Sequence, residues 1–190
     1  MDVDAIEREV RRLSPWYFRF DLKGVKTDIT PSIEGQGHRD VAFPAVEEGF
    51  WRGRRVLDVA CNEGAFSFAA LGEGAAHVDA FDVRPSNIEK GRFVAGVLGY
   101  RGVDFHVATL DGWFDAHPEP YDHVMCCGIL YHLTDPAASI ARVARAARES
   151  VLVTCVLFGG DELGYTPYEE LHNAAASATR AMEAAGSVRW

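Results

Sequence analysis

The chain has 190 residues, 48% of them hydrophobic, enough for one domain with a buried core. Its 28 acidic residues outweigh 19 basic ones, giving a net charge of −9 and a pI near 5.2. That balance argues against a nucleic-acid surface, which needs a basic patch, and no apolar run is long enough to cross a bilayer.

Residues 4–13 carry Ile6, Val10 and Leu13 on one helical face, and Ser14-Pro15 stops that helix. The aromatic run Trp16-Tyr17-Phe18 follows with Phe20 and Leu22, then a loop rich in Gly, Pro, Ser and Thr through Gly37. This stretch is too apolar for a linker. Residues 1–52 are therefore expected to pack on a core domain, residues 53–190, and to form one wall of a substrate site. Residues 38–52 read as a helix stopped by Gly53. The first core strand is read at 55–60, its helix at 64–71 and a turn at 72–75. The second strand, 77–83, carries Asp82 near its end, and Ser86-Asn87-Ile88-Glu89 has the pattern of a capping box opening a helix to Leu98. The third strand is 103–108 and the fourth 123–127. Asp135-Pro136 pairs an N-cap with proline at the first helical position. The helix after it aligns Ala137, Ile140, Ala144 and Ala147. The fifth strand is 151–157. Thr166-Pro167-Tyr168-Glu169 opens a last helix that ends near Gly186. Apolar strands alternating with helices specify an α/β fold: a Rossmann-like, doubly wound, mostly parallel sheet with helices on both faces.

Four cysteines, Cys61, Cys126, Cys127 and Cys155, lie in or at the ends of apolar runs without metal-type spacing, so no metal site is expected. They read as free thiols in a reducing compartment. The acidic N-terminus lacks a secretory signal, so a cytoplasmic location is expected.

The stretch Val56-Leu57-Asp58-Val59-Ala60-Cys61-Asn62-Glu63-Gly64 reads as strand, tight loop and helix start, the opening unit of a nucleotide-binding fold. Gly64 permits close approach of backbone to ligand. The glycine fingerprint of dinucleotide enzymes is missing, which argues against a dehydrogenase.

This stretch resembles motif I of the class I S-adenosylmethionine-dependent methyltransferases, V-L-D-x-G-x-G-x-G, with Ala60 and Asn62 in place of the first two glycines. Asn is the non-glycine residue that best tolerates a left-handed backbone. A second match runs from Tyr121 to Pro136 and resembles the family's F-D-x-V-x-x-x-G-V-L-Y-H-L-x-D-P. With Trp16-Tyr17 and Asp21-Leu22 added, the chain is similar over about residues 16–157 to the branch labelled tRNA wobble-uridine (carboxy)methyltransferase-like. That branch also holds many small-molecule methyltransferases. The resemblance implies S-adenosylmethionine as cofactor. It implies contacts from Asp58, Ala60, Cys61, Asn62, Gly64, Asp82, Val83 and Cys127, with Asp82 accepting the ribose hydroxyls. Thr109 and Leu110 fall beside the adenine, where the family often has an acid directly after the third strand. His132 is the candidate base for a substrate hydroxyl, because an imidazole titrates near neutrality. Tyr131 would line the methyl path.

The acceptor is expected to be a small molecule with an oxygen nucleophile. A tRNA wobble uridine, or an inactive binding module, is the alternative. The family sheet ends in an antiparallel strand pair after the fifth strand, but only about thirty residues follow Leu157 and most of them read as one helix. A five-stranded parallel core is expected, with an edge that a second copy would cover as a homo-oligomer.

Overall fold

The computed structural model describes residues 1–30, 43 and 46–155. In chain order these form α1 (Val3–Arg12), two short strands β1 (Asp21–Leu22) and β2 (Val25–Lys26), β3 (Arg55–Val59), α2 (Ala65–Gly72) and β4 (His77–Asp82). Then come α3 (Pro85–Leu98), β5 (Val103–Val107), α4 (Leu110–Ala116), β6 (Tyr121–Cys127), α5 (Pro136–Arg145) and β7 (Ala147–Thr154). Strands β3 to β7 make one parallel sheet in the order β5-β4-β3-β6-β7. The chain builds outward from β3 on one side and then returns to add β6 on the other. Doubly wound sheets bind ligands at such a reversal, outside the carboxyl ends of the strands. This is the Rossmann-like architecture expected from the alternation of elements.

The sheet is covered on both faces because its strands are apolar on both. Val56 and Leu57, adjacent in β3, point to opposite sides. Val56 joins Phe68, Val78, Val94, Phe105 and Met125 in one cluster, while Leu57 joins Phe81, Trp113, Tyr121, Val124 and Val143 in the other. The first cluster also takes in Ile6, Val10, Trp16, Phe18 and Leu22, so the N-terminal segment is part of the core rather than a linker.

Capping explains where the helices begin. The Asp2 side chain accepts from the Ala5 N–H at 2.7 Å, and that of Asp135 from the Ala138 N–H at 2.8 Å, with Pro136 at the helix start. The helix α3 starts at Pro85 with Arg84 as N-cap, so Ser86 lies inside the first turn and makes no capping box. Proline, with its fixed φ and missing N–H, takes the first helical position and moves the start forward. Gly99 ends the helix in the left-handed region, at φ 77°.

Other boundaries also differ from the sequence reading. Residues 48–53 run as turns, with Gly49 and Gly53 at φ 82° and 73°, where a helix end is expected from the pattern. The segment 21–26 is a hairpin whose turn residues Lys23 and Gly24 both have positive φ. The residues after β5 form α4, an element absent from the sequence reading, and the Thr109 side chain accepts from the Gly112 N–H and caps it. Strand β6 begins at Tyr121 and β7 at Ala147, so Ala147 belongs to the sheet and not to the helical stripe. The Tyr121 N–H donates to the Ala146 carbonyl at 2.8 Å and Tyr121 pairs with Ala147, which extends the pairing, and Glu149 forms an ion pair with Arg54 at 2.7 Å.

The expected loop at 31–37, most of the helix at 38–52, the end of the fifth strand, the helix from Thr166 to Gly186 and any closing strand pair lie outside the described residues. No helix among the described residues is long and apolar enough to cross a membrane.

Candidate functional site

The loop between β3 and α2 alternates its backbone. Ala60, Asn62 and Gly64 stand at φ 55°, 53° and 83°, all in the left-handed region. These are the three glycine positions of the motif that the loop resembles, so the loop keeps the glycine conformation without two of the glycines. Two backbone bonds fix it: the Cys61 N–H donates to the Phe81 carbonyl and the Gly64 N–H to the Cys61 carbonyl, both at 2.9 Å. Gly64 is required twice over. Its φ disfavours any side chain, and a Cβ there would stand 2.5 Å from the Phe105 ring.

Next to this loop is the end of β4. The Asp82 carboxylate is buried and accepts from the Asn62 N–H at 3.0 Å, the Arg84 N–H at 2.8 Å and Arg84 Nε at 3.1 Å. With the Asn87 amide in its hydrogen-bonding orientation, its oxygen accepts from Arg84 Nε and Nη2, each at 2.9 Å. The Arg84 guanidinium is thus clasped between α3 and the strand end, although its side chain remains 56% exposed. Val83, between them in sequence, is 60% exposed, an apolar side chain just past the end of β4.

Asp58 lies beneath the loop, in the core. Its Oδ2 accepts from the Ser67 hydroxyl at 2.6 Å, and burial pushes its pKa up to about 7. The Ser67 bond opposes that rise, and the negative charge of Asp82 adds to it. Burial also lifts the Cys61 thiol well above its ordinary range and Cys127 to about 12, so both are neutral sulfurs.

The remaining sequence candidates gather along the same strand ends. The Ala108 N–H donates to the Asp82 carbonyl at 3.1 Å, which sets Thr109 and Leu110 beside the end of β4. Cys127 closes β6, and the Gly128 N–H donates to the Thr154 carbonyl of β7 at 2.8 Å. A short 3-10 turn, Leu130–His132, then carries Tyr131, half-buried, and His132, exposed, with ring centroids 4.4 Å apart.

One residue of this site escapes the sequence reading. Glu63, between Asn62 and Gly64, is fully buried. Its carboxylate accepts from the N–H groups of Tyr17 and Phe18, both at 2.9 Å, and from Lys90 Nζ at 3.0 Å. A lone Glu inside a polar loop gives no signal of this, and its partners lie 46, 45 and 27 residues away.

A family model described as a methyltransferase domain matches residues 52–180. The chain belongs to that family. A ubiquinone biosynthesis O-methyltransferase of Neisseria meningitidis serogroup C is 28% identical over 54% of this chain and 43% of its own length. A tRNA U34 carboxymethyltransferase of Dichelobacter nodosus is 31% identical over 90% of this chain and 55% of its own. The chain therefore spans about half the length of the curated relatives it matches. Among solved structures, the N-terminal domain of EvdMO1, determined in the presence of S-adenosylhomocysteine (SAH) and D-fucose, is 25% identical. It aligns with a TM-score of 0.63 over 80% of this chain and 64% of that one. The family and the SAH held by this neighbour indicate S-adenosylmethionine as the cofactor.

Proposed function

We propose that this methyltransferase domain moves a methyl group from S-adenosylmethionine to an oxygen of a small hydroxylated molecule. The observation that carries the reading is the left-handed alternation at Ala60, Asn62 and Gly64 beside the Asp82 carboxylate. The residues fit an adenosyl group. Asp82 offers acceptors for two ribose hydroxyls once they displace the Arg84 guanidinium, Val83 offers an apolar face, and α2 begins directly after Gly64 with its first N–H groups unpaired within the helix. The retained loop shape also speaks against a decayed binding module.

When bound, the cofactor supplies an activated methyl on a sulfonium. What the protein must add is alignment and exclusion of water. In this reading Asp82 and the 60–64 loop hold the donor, Thr109 and Leu110 border the adenine, and the 131–132 turn faces the acceptor. His132 takes the proton of the acceptor hydroxyl, Tyr131 lines the path between donor and acceptor, and Cys127 contacts the donor. A His132→Ala variant would then lose turnover at saturating acceptor while keeping its affinity for SAH.

The small acceptor is favoured by charge. Among the described residues, Arg54 pairs with Glu149, Arg55 with Asp79, Arg142 with Asp111 and Asp115, and Arg148 with Asp122. Guanidinium groups so engaged are not arrayed for phosphates. The neighbour solved with D-fucose and the O-methyltransferase relatives point the same way. A tRNA uridine stands as the second reading, because the tRNA-named relatives match 82–90% of the chain. Binding of bulk tRNA across a salt series separates them. No association at physiological ionic strength is expected, and tight, salt-sensitive association would promote the second reading.

A further inference from the structure

We infer that Glu63 is a positioning residue that ties the N-terminal arm, residues 14–18, to the donor loop, so that binding the donor further protects the arm against opening. The inference rests on the donor-site reading above and adds to it the wall of the site that the arm would form.

The connection is built from buried charge. Glu63 is 0% and Lys90 4% exposed, and they pair at 3.0 Å. A buried ion pair holds only when its remaining hydrogen-bonding capacity is met. Here it is met by the arm. The two carboxylate oxygens of Glu63 each accept one backbone N–H, from Tyr17 and from Phe18. Lys90 Nζ donates to the Pro15 carbonyl and lies 5.4 Å from the centre of the Trp16 ring. Residues 15 to 18 are thus each held by the one pair. The arm is fixed from its far side too: the Thr27 hydroxyl donates to the Phe18 carbonyl at 2.8 Å, and Trp16 Nε1 donates to the Val10 carbonyl at 2.8 Å.

At its other end the same loop meets the Asp82 carboxylate. The Asn62 N–H is bonded to Asp82, and the next side chain, Glu63, is bonded to the arm. Lys90 stands on α3, whose first turn carries Asn87 against Arg84. The strand-end carboxylate and the arm are therefore linked through one peptide unit and through one helix. An ordinary buried pair inside a core would stabilise the fold without joining two segments of separate function. This one joins the loop that would take the donor to the segment carrying Tyr17 and Phe18, whose rings pack edge to face at 4.9 Å. Binding energies coupled in this way are reciprocal: what holds the loop against opening also holds the arm.

Hydrogen exchange on the unaltered protein reads this directly, because the two N–H groups in question are reporters. Saturating SAH, with binding verified by calorimetry, is expected to slow exchange of the Tyr17 and Phe18 amides at least about fivefold. In Lys90→Met, and separately in Glu63→Gln, the same saturating SAH should still protect residues 60–64 but no longer the arm. Restoring a carboxylate and ammonium in exchanged places, Glu63→Lys with Lys90→Glu, should not restore it, since an ammonium cannot accept the two N–H groups. If SAH binds and protects 60–64 while the arm amides of the wild-type protein exchange unchanged, this inference falls and the donor reading stands. Retained arm protection in both single variants would overturn it equally. If SAH does not bind the wild-type protein, the donor reading falls and takes this one with it.

Discussion

Ala60 is held at φ 55°, where the Cβ of an L residue crowds its own carbonyl at a cost of roughly 1–2 kcal/mol. Asn62, at 53°, meets the same restraint with less penalty. Replacing Ala60 by glycine removes that strain but frees the unfolded chain, which offsets about 0.4–1 kcal/mol. The Ala60→Gly variant should therefore be more stable by about 0.5–1 kcal/mol in urea unfolding, and Gly64→Ala less stable by more than that, since its Cβ would also strike Phe105. A destabilised Ala60→Gly would mean that the loop is not held in this form. At this scale the sequence was readable in part. The spacing of Asp58, Gly64 and Asp82 is visible in the chain, and the left-handed tolerance of Asn62 follows from its chemistry. Glu63 was not legible, because its role depends on partners brought close only by folding. The Asp82–Arg84 clasp was hidden in the same way: nothing in the two letters tells which way the guanidinium turns.

Strand β3 sits in the middle of the sheet with both faces covered, and it carries one acid, Asp58. Its pKa in the folded protein, about 7, lies above the ordinary carboxylate value near 4 that it takes when unfolded. The folded state therefore binds that proton more tightly. The contribution of Asp58 to stability is most favourable below about pH 4, declines as pH rises through about 7, and is flat beyond. Asp58→Asn keeps an acceptor for the Ser67 hydroxyl and removes the titration. Its stability relative to wild type should grow by about 2–3 kcal/mol between pH 5 and pH 8. Urea titrations across that range check this, and a difference that does not vary with pH would show that Asp58 ionises without penalty. The strands and the main helices were legible because each is set by apolar runs and by strong end signals such as Asp135-Pro136 and Gly99. The hairpin at 21–26 and α4 were missed for a local reason. A Lys-Gly turn and a Thr109 cap with Gly112 in its first turn are weak versions of the usual turn and cap patterns. The early start of β7 is not visible because Arg148 and Glu149 look helical in isolation, and only the pairing of this segment with β6 makes it extended.

Across the whole molecule, the order β5-β4-β3-β6-β7 brings four loops to one end of the sheet, after β3, β4, β5 and β6. Alternation of elements makes that architecture readable in the sequence, and it explains why donor residues are easier to recognise than acceptor residues. The donor loops follow from the fold itself, whereas the acceptor wall proposed above draws on the 131–132 turn and the N-terminal arm, which no fold-level pattern marks. The central claim is that the crest of this sheet, around Asp82, takes an adenosyl donor. The measurement that tests it most directly is calorimetric titration of S-adenosylmethionine, SAH and NAD into the wild-type protein and Asp82→Ala, each verified as folded by circular dichroism. The first two ligands should bind and NAD should not, and Asp82→Ala should weaken SAH binding by about 1.5–3 kcal/mol, the worth of hydrogen bonds to a charged acceptor. Binding of NAD in place of SAH, or unchanged SAH affinity in a folded Asp82→Ala, would contradict the account.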